Sequence, residues 1–235
     1  MVSDIHEDEA FMKRRSAASE RLNGQSGSRG GNREARHAWF EEVYRSAGED
    51  PAAVPWADLA PKTALLDWLN EHPGHGRRAI DVACGLGDNA EALAAAGWQT
   101  TAFDFAKDAI VWARKRFAGS HVDYRVADLL DLPTEWAGAF DLVHECYTLQ
   151  ALNVAMREAA FASVARLVKP GGMLLVITRV QPDGAWGDGP PWPLLPAELA
   201  GFGDLGFLEE DVCEYDVARP GGRIIPHVRV QFRKK

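Results

Sequence analysis

Asp81, Gly85 and Gly87 stand close together in AIDVACGLGDNAEALAAAGW (79–98), where an acid is followed four positions later by a Gly-x-Gly turn. Glycine has no Cβ, so such a turn lets backbone N–H groups come up against a ligand and adopts dihedrals closed to other residues. A second acid, Asp104, ends the stretch QTTAFD 19 residues after Gly85, and a third, Asp128, stands in VADLL. A carboxylate at the Asp104 position accepts hydrogen bonds from the hydroxyls of a ribose. Taken singly, each acid caps a turn or a helix as readily as it binds anything. Three of them beside a glycine turn point to a site, and at this level a dinucleotide and another adenosine-bearing cofactor both fit it.

These residues need strand ends to hold them. Short apolar runs predict strands at 78–83, 99–104, 122–127, 140–146 and 172–178, and helical patterns fall at Asp88–Ala96, Lys107–Phe117 and Val154–Leu167. Amphipathic helices are also expected around Trp39–Tyr44 and Thr63–His72. Strands that alternate with helices of this length imply βαβ units and a parallel sheet covered on both faces. Lys169-Pro170-Gly171-Gly172 reads as a stop and turn before the last of these strands. A Pro/Gly/Trp-rich loop at 183–195 then leads to a helix near Pro196–Leu205. FLEEDVCEYDV and IIPHVRVQFRKK, joined by ARPGGR, read as an antiparallel hairpin. On this plan Asp81, Asp104 and Asp128 approach the carboxyl edge of the sheet, where open α/β folds bind their ligands.

A chain of 235 residues suits one domain with a sizeable core. Residues 1–36 carry seven Lys/Arg against six Asp/Glu, so of the net charge of −8 they hold +1 and the remainder −9. An acidic body repels a phosphate backbone and tolerates a cationic ligand, which argues against nucleic acid as substrate. RLNGQSGSRGGN (21–32) cannot bury enough apolar surface to offset its ordering. Residues 1–35 are therefore expected as a flexible arm, with Lys13-Arg14-Arg15 solvated, and 36–235 as the folded domain. No apolar run approaches the roughly 18–20 residues of a membrane span, and the N-terminus has no apolar segment of a secretory signal. Cys84, Cys146 and Cys213 form no Cys-x-x-Cys pair, which points to reduced thiols in a cytoplasmic protein and to no metal set. A monomer or homodimer is expected, with no membrane partner.

GLGDNA (85–90) satisfies the dinucleotide pattern G-x-G-x-x-A. A nicotinamide-dependent oxidoreductase of this length would use a Tyr-x-x-x-Lys pair, yet the residues four after the tyrosines are Gly48, Asp128, Ala151 and Arg219. Asp81-Val-Ala-Cys-Gly-Leu-Gly87 instead resembles the D-x-G-C-G-x-G motif of class I S-adenosylmethionine (SAM)-dependent methyltransferases. AFD ending at Asp104, ADLL with Asp128, FDLVHE and the KPGG turn are similar to that family as well, over residues 37–235. Ala83 stands where many members carry Gly.

The resemblance implies a Rossmann-like α/β fold, with a seven-stranded, mostly parallel sheet, an antiparallel C-terminal hairpin and helices on both faces. It implies that Gly85 and Gly87, with Ala83 and Cys84, approach the methionyl and ribose portion of SAM. Asp104 would take the ribose hydroxyls, Asp128 with Leu129 the adenine, and Asp81 would orient the methionine end; Phe105 and His144, the latter on a buried strand, are counted among the cofactor-binding residues.

Methyl transfer from a sulfonium needs alignment, exclusion of water and a place for any proton released. FDLVHECYTLQAL (140–152) places Glu145 where it would orient or deprotonate an acceptor or bind the cofactor's end, and Tyr147 where it would hydrogen-bond an acceptor; Cys84 is expected to pack. Trp39, Trp56 and Trp192 are expected to line a substrate site, since aromatic faces attract a sulfonium and shed water; Arg179 is a candidate partner for an acidic substrate. PWADLAP, FDLVHECYTLQALNVAMR, KPGG and GPPWPL resemble the thiopurine, thiol/halide and tellurite-resistance methyltransferases. That resemblance implies a small acceptor with a soft nucleophile, a thiol or other chalcogen or a halide, and S-adenosylhomocysteine (SAH) as product. A small-metabolite O- or N-methyltransferase is the alternative, ahead of an NAD(P)-dependent oxidoreductase or a non-catalytic SAM-binding protein.

Overall fold

In the computed structural model the described residues are 8–25, 27–29, 32–181, 190–219 and 222–235. The apolar runs become strands β1 (Arg78–Val82), β2 (Gln99–Asp104), β3 (Asp123–Val126), β4 (Phe140–Cys146) and β5 (Val168–Arg179). The C-terminal hairpin supplies β6 (Phe207–Arg219) and β7 (Arg223–Lys234). They form one seven-stranded sheet in the order β3-β2-β1-β4-β5-β7-β6. The first five strands run parallel, and β7 is antiparallel to both β5 and β6.

Alternation along each central strand sorts its side chains onto two buried faces. Ile80, Val82, Val143, Leu174 and Val176 pack on one face with Phe161 and Val164 of helix α6 (Val154–Leu167). Ala79, Leu142, Leu175 and Ile177 pack on the other, with Leu65 and Trp68 of α3 (Thr63–Glu71) and Leu93 of α4 (Asp88–Ala95). Burial on both faces is why these strands read as continuous apolar runs. Trp68 Nε1 donates to Gln231 Oε1 at 2.6 Å and ties α3 to β7. Helix α5 (Lys107–Arg116) follows β2, and a short α7 (Pro196–Ala200) precedes the hairpin.

Two expectations change. KPGG lies inside β5 rather than before it; Gly171 at φ 71° takes up the turn, and the pairing with β4 shifts register between Phe140 and Leu142. The segment expected as a flexible arm contains helix α1 (Glu9–Asn23), capped by Asp8, whose side chain accepts from Phe11 N at 3.0 Å. Phe11, Arg15, Ala18 and Leu22 make its buried stripe, at helical spacing. Arg15 is thus buried, not solvated. Its guanidinium reaches Asp58 at 3.3 Å and the carbonyl of Ala57.

Helix α2 (Arg33–Ala47) crosses the carboxyl edge of the sheet beside α1. Arg36, 1% exposed, holds the two helices down. Its guanidinium donates to the carbonyls of Gly27 (2.8 Å), Ser28 (2.9 Å) and Ala151 (2.9 Å) and lies over the rings of Trp39 and Phe40. No described helix is long and apolar enough to cross a membrane.

Candidate active site

The strand order reverses between β1 and β4, and open sheets bind ligands beyond that point. A cavity of ≈ 520 Å³ lies there, floored by the turns after β1, β2 and β4 and roofed by α1 and α2. Ala83, Cys84, Gly85, Asp104, Phe105, Asp128, Leu129, Tyr147, Arg179, Trp39 and Trp56 all line it.

Asp104 ends β2, 5% exposed, with backbone N–H groups on both oxygens. Oδ2 accepts from Gly85 N at 3.1 Å and Oδ1 from Ala106 N at 2.9 Å. Burial pushes its carboxyl up to about 6, against the opposing pull of those N–H groups. Each oxygen keeps a further lone pair for a ligand hydroxyl. Gly85 has φ 53°, and a Cβ there would stand 3.1 Å from Tyr44 Oη, so glycine keeps the turn close to the cavity. Asp128, after β3, accepts from Leu130 N at 2.9 Å and pairs with Arg33 and, at 3.5 Å, His37. His37 in turn stacks on Phe105 at 4.3 Å, forming a flat aromatic step beside the carboxylate. Trp39, Phe40 and Trp56 close the wall through ring contacts of 4.9–5.8 Å. Burial beside Asp104 and Asp81 pushes the Cys84 thiol up, so this cysteine packs rather than attacks.

The remaining candidates stand off the cavity. Asp81 faces His144 across the β1–β4 register, with Oδ1 2.6 Å from Nδ1, and both side chains are sealed in the core. Asp81 Oδ2, His144 Nε2 and Glu145 Oε2 are buried with no hydrogen-bond partner among the described residues. Glu145 turns back beneath the chain: its Oε1 accepts from Thr148 N (2.7 Å) and Leu149 N (2.9 Å) and shapes the turn that carries Tyr147 at φ 65°. Burial pushes the Glu145 carboxyl up to about 7. The expectation that Glu145 meets an acceptor is corrected accordingly; it supports the residue that does line the cavity. Gly87 starts α4 with φ 90°, and a Cβ there would stand 2.4 Å from Tyr124 Oη, so this glycine serves packing. Trp192 is buried outside the lining, its N–H donating to the Gln150 carbonyl at 2.8 Å. GPPWPL falls partly on 189, outside the described residues.

Sequence reasoning missed Arg15, Asp58 and Lys62, which line the cavity near Tyr147. The spacing of Asp58 and Lys62, four apart, was the available signal. It also missed Tyr44, whose hydroxyl accepts from Trp56 Nε1 at 2.8 Å.

Ala83 has φ 51°, a left-handed conformation that costs an alanine about 1–2 kcal/mol. Glycine loses roughly 0.5–1 kcal/mol more chain entropy on folding. Ala83→Gly is therefore expected to stabilise the chain by up to about 1 kcal/mol, read as a higher urea midpoint at unchanged slope. A lower midpoint would show that the methyl group contributes packing that outweighs the strain.

Residues 79–172 match the family described as "Methyltransferase domain". The chain is 37% identical over 132 residues to the ubiquinone biosynthesis O-methyltransferase of Bordetella avium (strain 197N), covering 53% of this chain and 54% of that protein. It is 35% identical over 145 residues to the protein of the same name from Chromobacterium violaceum, covering 60% and 58%. The chain thus spans about half the length of the curated relatives it matches. Among solved structures, it resembles the Burkholderia thailandensis 1,6-didemethyltoxoflavin-N1-methyltransferase with bound 1,6-didemethyltoxoflavin and S-adenosylhomocysteine. That match has a TM-score of 0.66 and 18% identity, over 87% of this chain and 91% of that one. N-methyltransferase NodS from Bradyrhizobium japonicum, in complex with S-adenosylhomocysteine, matches at a TM-score of 0.65 and 19% identity, over 83% and 97%. The fold is the Rossmann-like methyltransferase fold, and the match to the family model runs from β1 into the start of β5.

Proposed function

We propose that the chain is a SAM-dependent methyltransferase acting on a small molecule. The observation that carries this reading is Asp104. A desolvated carboxylate at the end of β2, braced by Gly85 N–H and open to a cavity of ≈ 520 Å³, suits the vicinal hydroxyls of a single ribose. The donor set fits the rest of such a cofactor. Gly85, lacking a Cβ, leaves room for the ligand beside the turn, and the Phe105–His37 step beside Asp128 offers a stacking surface and an acceptor for an adenine. Bound there, SAM supplies an electrophilic methyl group on a sulfonium.

The chain's own residues then align and shield. Trp39, Phe40 and Trp56 keep water from the cavity and present π faces to a sulfonium. Tyr147, with Cys146, Thr148 and Gln150, borders the space beyond β4 where an acceptor sits. The cavity's one carboxylate–imidazole pair among the described residues, Asp128–His37, lies at the opposite, nucleoside end. A site arranged in this way suits an acceptor that arrives anionic or loses its proton easily, such as a thiol, another chalcogen or an acidic hydroxyl. The hydroxyl has its own support in the names of the relatives, which are O-methyltransferases.

Calorimetric titration with SAH and with NAD tests the reading, followed by a screen of thiols and phenols for methyl transfer. SAH is expected to bind and NAD not to. Binding of NAD alone would turn the glycine turn into a dinucleotide site and overturn the proposal.

A further inference from the structure

The glycine turn floors the cavity in a conformation that its own backbone supports poorly. Ala83, Gly85 and Gly87 are all left-handed, at φ 51°, 53° and 90°, and a single-turn bond from Gly87 N to the Cys84 carbonyl, 3.0 Å, spans the bend. Leu86 precedes Gly87, the N-cap of α4, so its carbonyl lies outside the helix's own ladder. Asp88, the first residue of α4, carries a carboxylate that suits a helix N-terminus. Both groups are taken by one side chain from another element. Arg116, the last residue of α5, donates from Nη1 to the Leu86 carbonyl at 2.6 Å and to Asp88 Oδ2 at 2.7 Å. Its Nη2 donates to Asp88 Oδ1 at 2.7 Å. The two side chains are 19% and 15% exposed, so water and salt screen the pair little. A guanidinium paired in this way fixes direction as well as distance.

Leu86 and Asp88 line the cavity, whereas Arg116 lines an open groove along α3 and α4. Arg116 therefore acts on the site through the two residues it grips. On the methyl-transfer reading above, we infer that Arg116 is a positioning residue for the cofactor. It sets the height of the turn, so that Gly85 N–H stays on Asp104 Oδ2, 3.1 Å away, and the Asp104 carboxylate stays aimed at a ribose. Other contacts seat later residues of α4: Asn89 Oδ1 accepts from Lys62 N at 3.0 Å, and Glu91 Oε1 from Tyr124 Oη at 2.7 Å. Arg116 grips the turn itself, and the grip comes from a helix whose own residues lead back to Asp104 through Ala106 N.

The test takes two readings on the parent, Arg116→Met and Arg116→Lys: SAH affinity by calorimetry, and hydrogen exchange of the 84–88 amides in the ligand-free chain. Arg116→Met keeps the stem of the side chain without its fork. It is expected to weaken SAH binding about tenfold and to speed that exchange. Arg116→Lys retains the charge but not the paired geometry, and is expected to recover part of both. Adding Asp88→Asn to Arg116→Met should restore nothing, since the Leu86 carbonyl still lacks its donor. Parent affinity in that double variant overturns the proposal, because the loss would then come from the bared Asp88 charge. Unchanged SAH affinity in Arg116→Met overturns it too, whatever the urea stability, for Arg116 would then serve the fold alone. So does unchanged exchange over 84–88. Should Arg116→Met fail to fold, Arg116→Lys carries the same two readings. If the parent itself does not bind SAH, the methyltransferase reading falls. The exchange comparison uses no ligand and still decides whether Arg116 holds the turn.

Discussion

At pH 5 the chain is expected to bind SAH about tenfold more weakly than at pH 8, and Asp104→Asn to abolish that dependence. Burial holds the Asp104 carboxyl at about 6, so at pH 5 roughly one molecule in ten carries the ionised form. Only the carboxylate offers acceptors on both oxygens while also receiving Gly85 N–H and Ala106 N–H. Each hydrogen bond to a charged group is worth roughly 1.5–3 kcal/mol. Replacing the carboxylate with an amide weakens two of them, so Asp104→Asn should cost about a hundredfold in affinity at pH 8. Asparagine is the right replacement because it keeps the side-chain volume in a site that is nearly closed to solvent. Titrations of both proteins at pH 5, 6, 7 and 8 decide the matter. A flat profile in the parent, or unaltered affinity in the variant, would remove Asp104 from the binding site.

Glu145→Gln should gain stability on the parent as the pH rises. Burial moves the folded-state pKa from an ordinary 4.5 to about 7. Below 4.5 both folded and unfolded chains hold the proton, so the group contributes nothing to the pH dependence. Between 4.5 and 7 the unfolded chain releases it first, and the parent loses about 1.4 kcal/mol of stability per pH unit. Across the window that amounts to about 3 kcal/mol, and the glutamine variant is exempt from it. The amide oxygen still accepts from Thr148 N and Leu149 N, so the turn beneath Tyr147 keeps its support. Urea unfolding of both proteins at pH 4.5 and pH 8 reads the difference directly. Methyl transfer should survive the substitution, because the side chain does not reach the cavity. A hundredfold fall in kcat with the fold intact would instead make Glu145 catalytic.

How much of this was legible in the sequence depended on how far apart the partners lie. Strands β2 and β4 and helix α6 agree with their apolar patterns residue for residue, because each is buried enough for its own periodicity to declare it. Asp104 and Gly85 were found together, since a strand and a crossover helix fix their separation. Helix α1 escaped because one of the four residues in its buried stripe is Arg15, and that residue is accommodated by Asp58, 43 positions away. The same holds for Asp81 and His144, 63 positions apart, and for Arg33 and Asp128, 95 apart. An acid near a strand end looks like a ligand contact until the register reveals a histidine opposite it. Trp192 was misplaced for a simpler reason: loop residues carry no periodicity from which to read a direction.

The roof over the cavity has a kinetic consequence. Lifting of α1 and α2 would widen the way out for a ligand held beneath them, and Arg36 is one of the groups that resist it. Lifting breaks its bond to the Ala151 carbonyl, the one of the three outside the α1–α2 unit, and returns to water a guanidinium whose burial has lowered its pKa to about 10. The hydration regained offsets much of what is lost. The fastener is therefore strong in geometry and mild in free energy, so α1 and α2 can part from the sheet as folded helices.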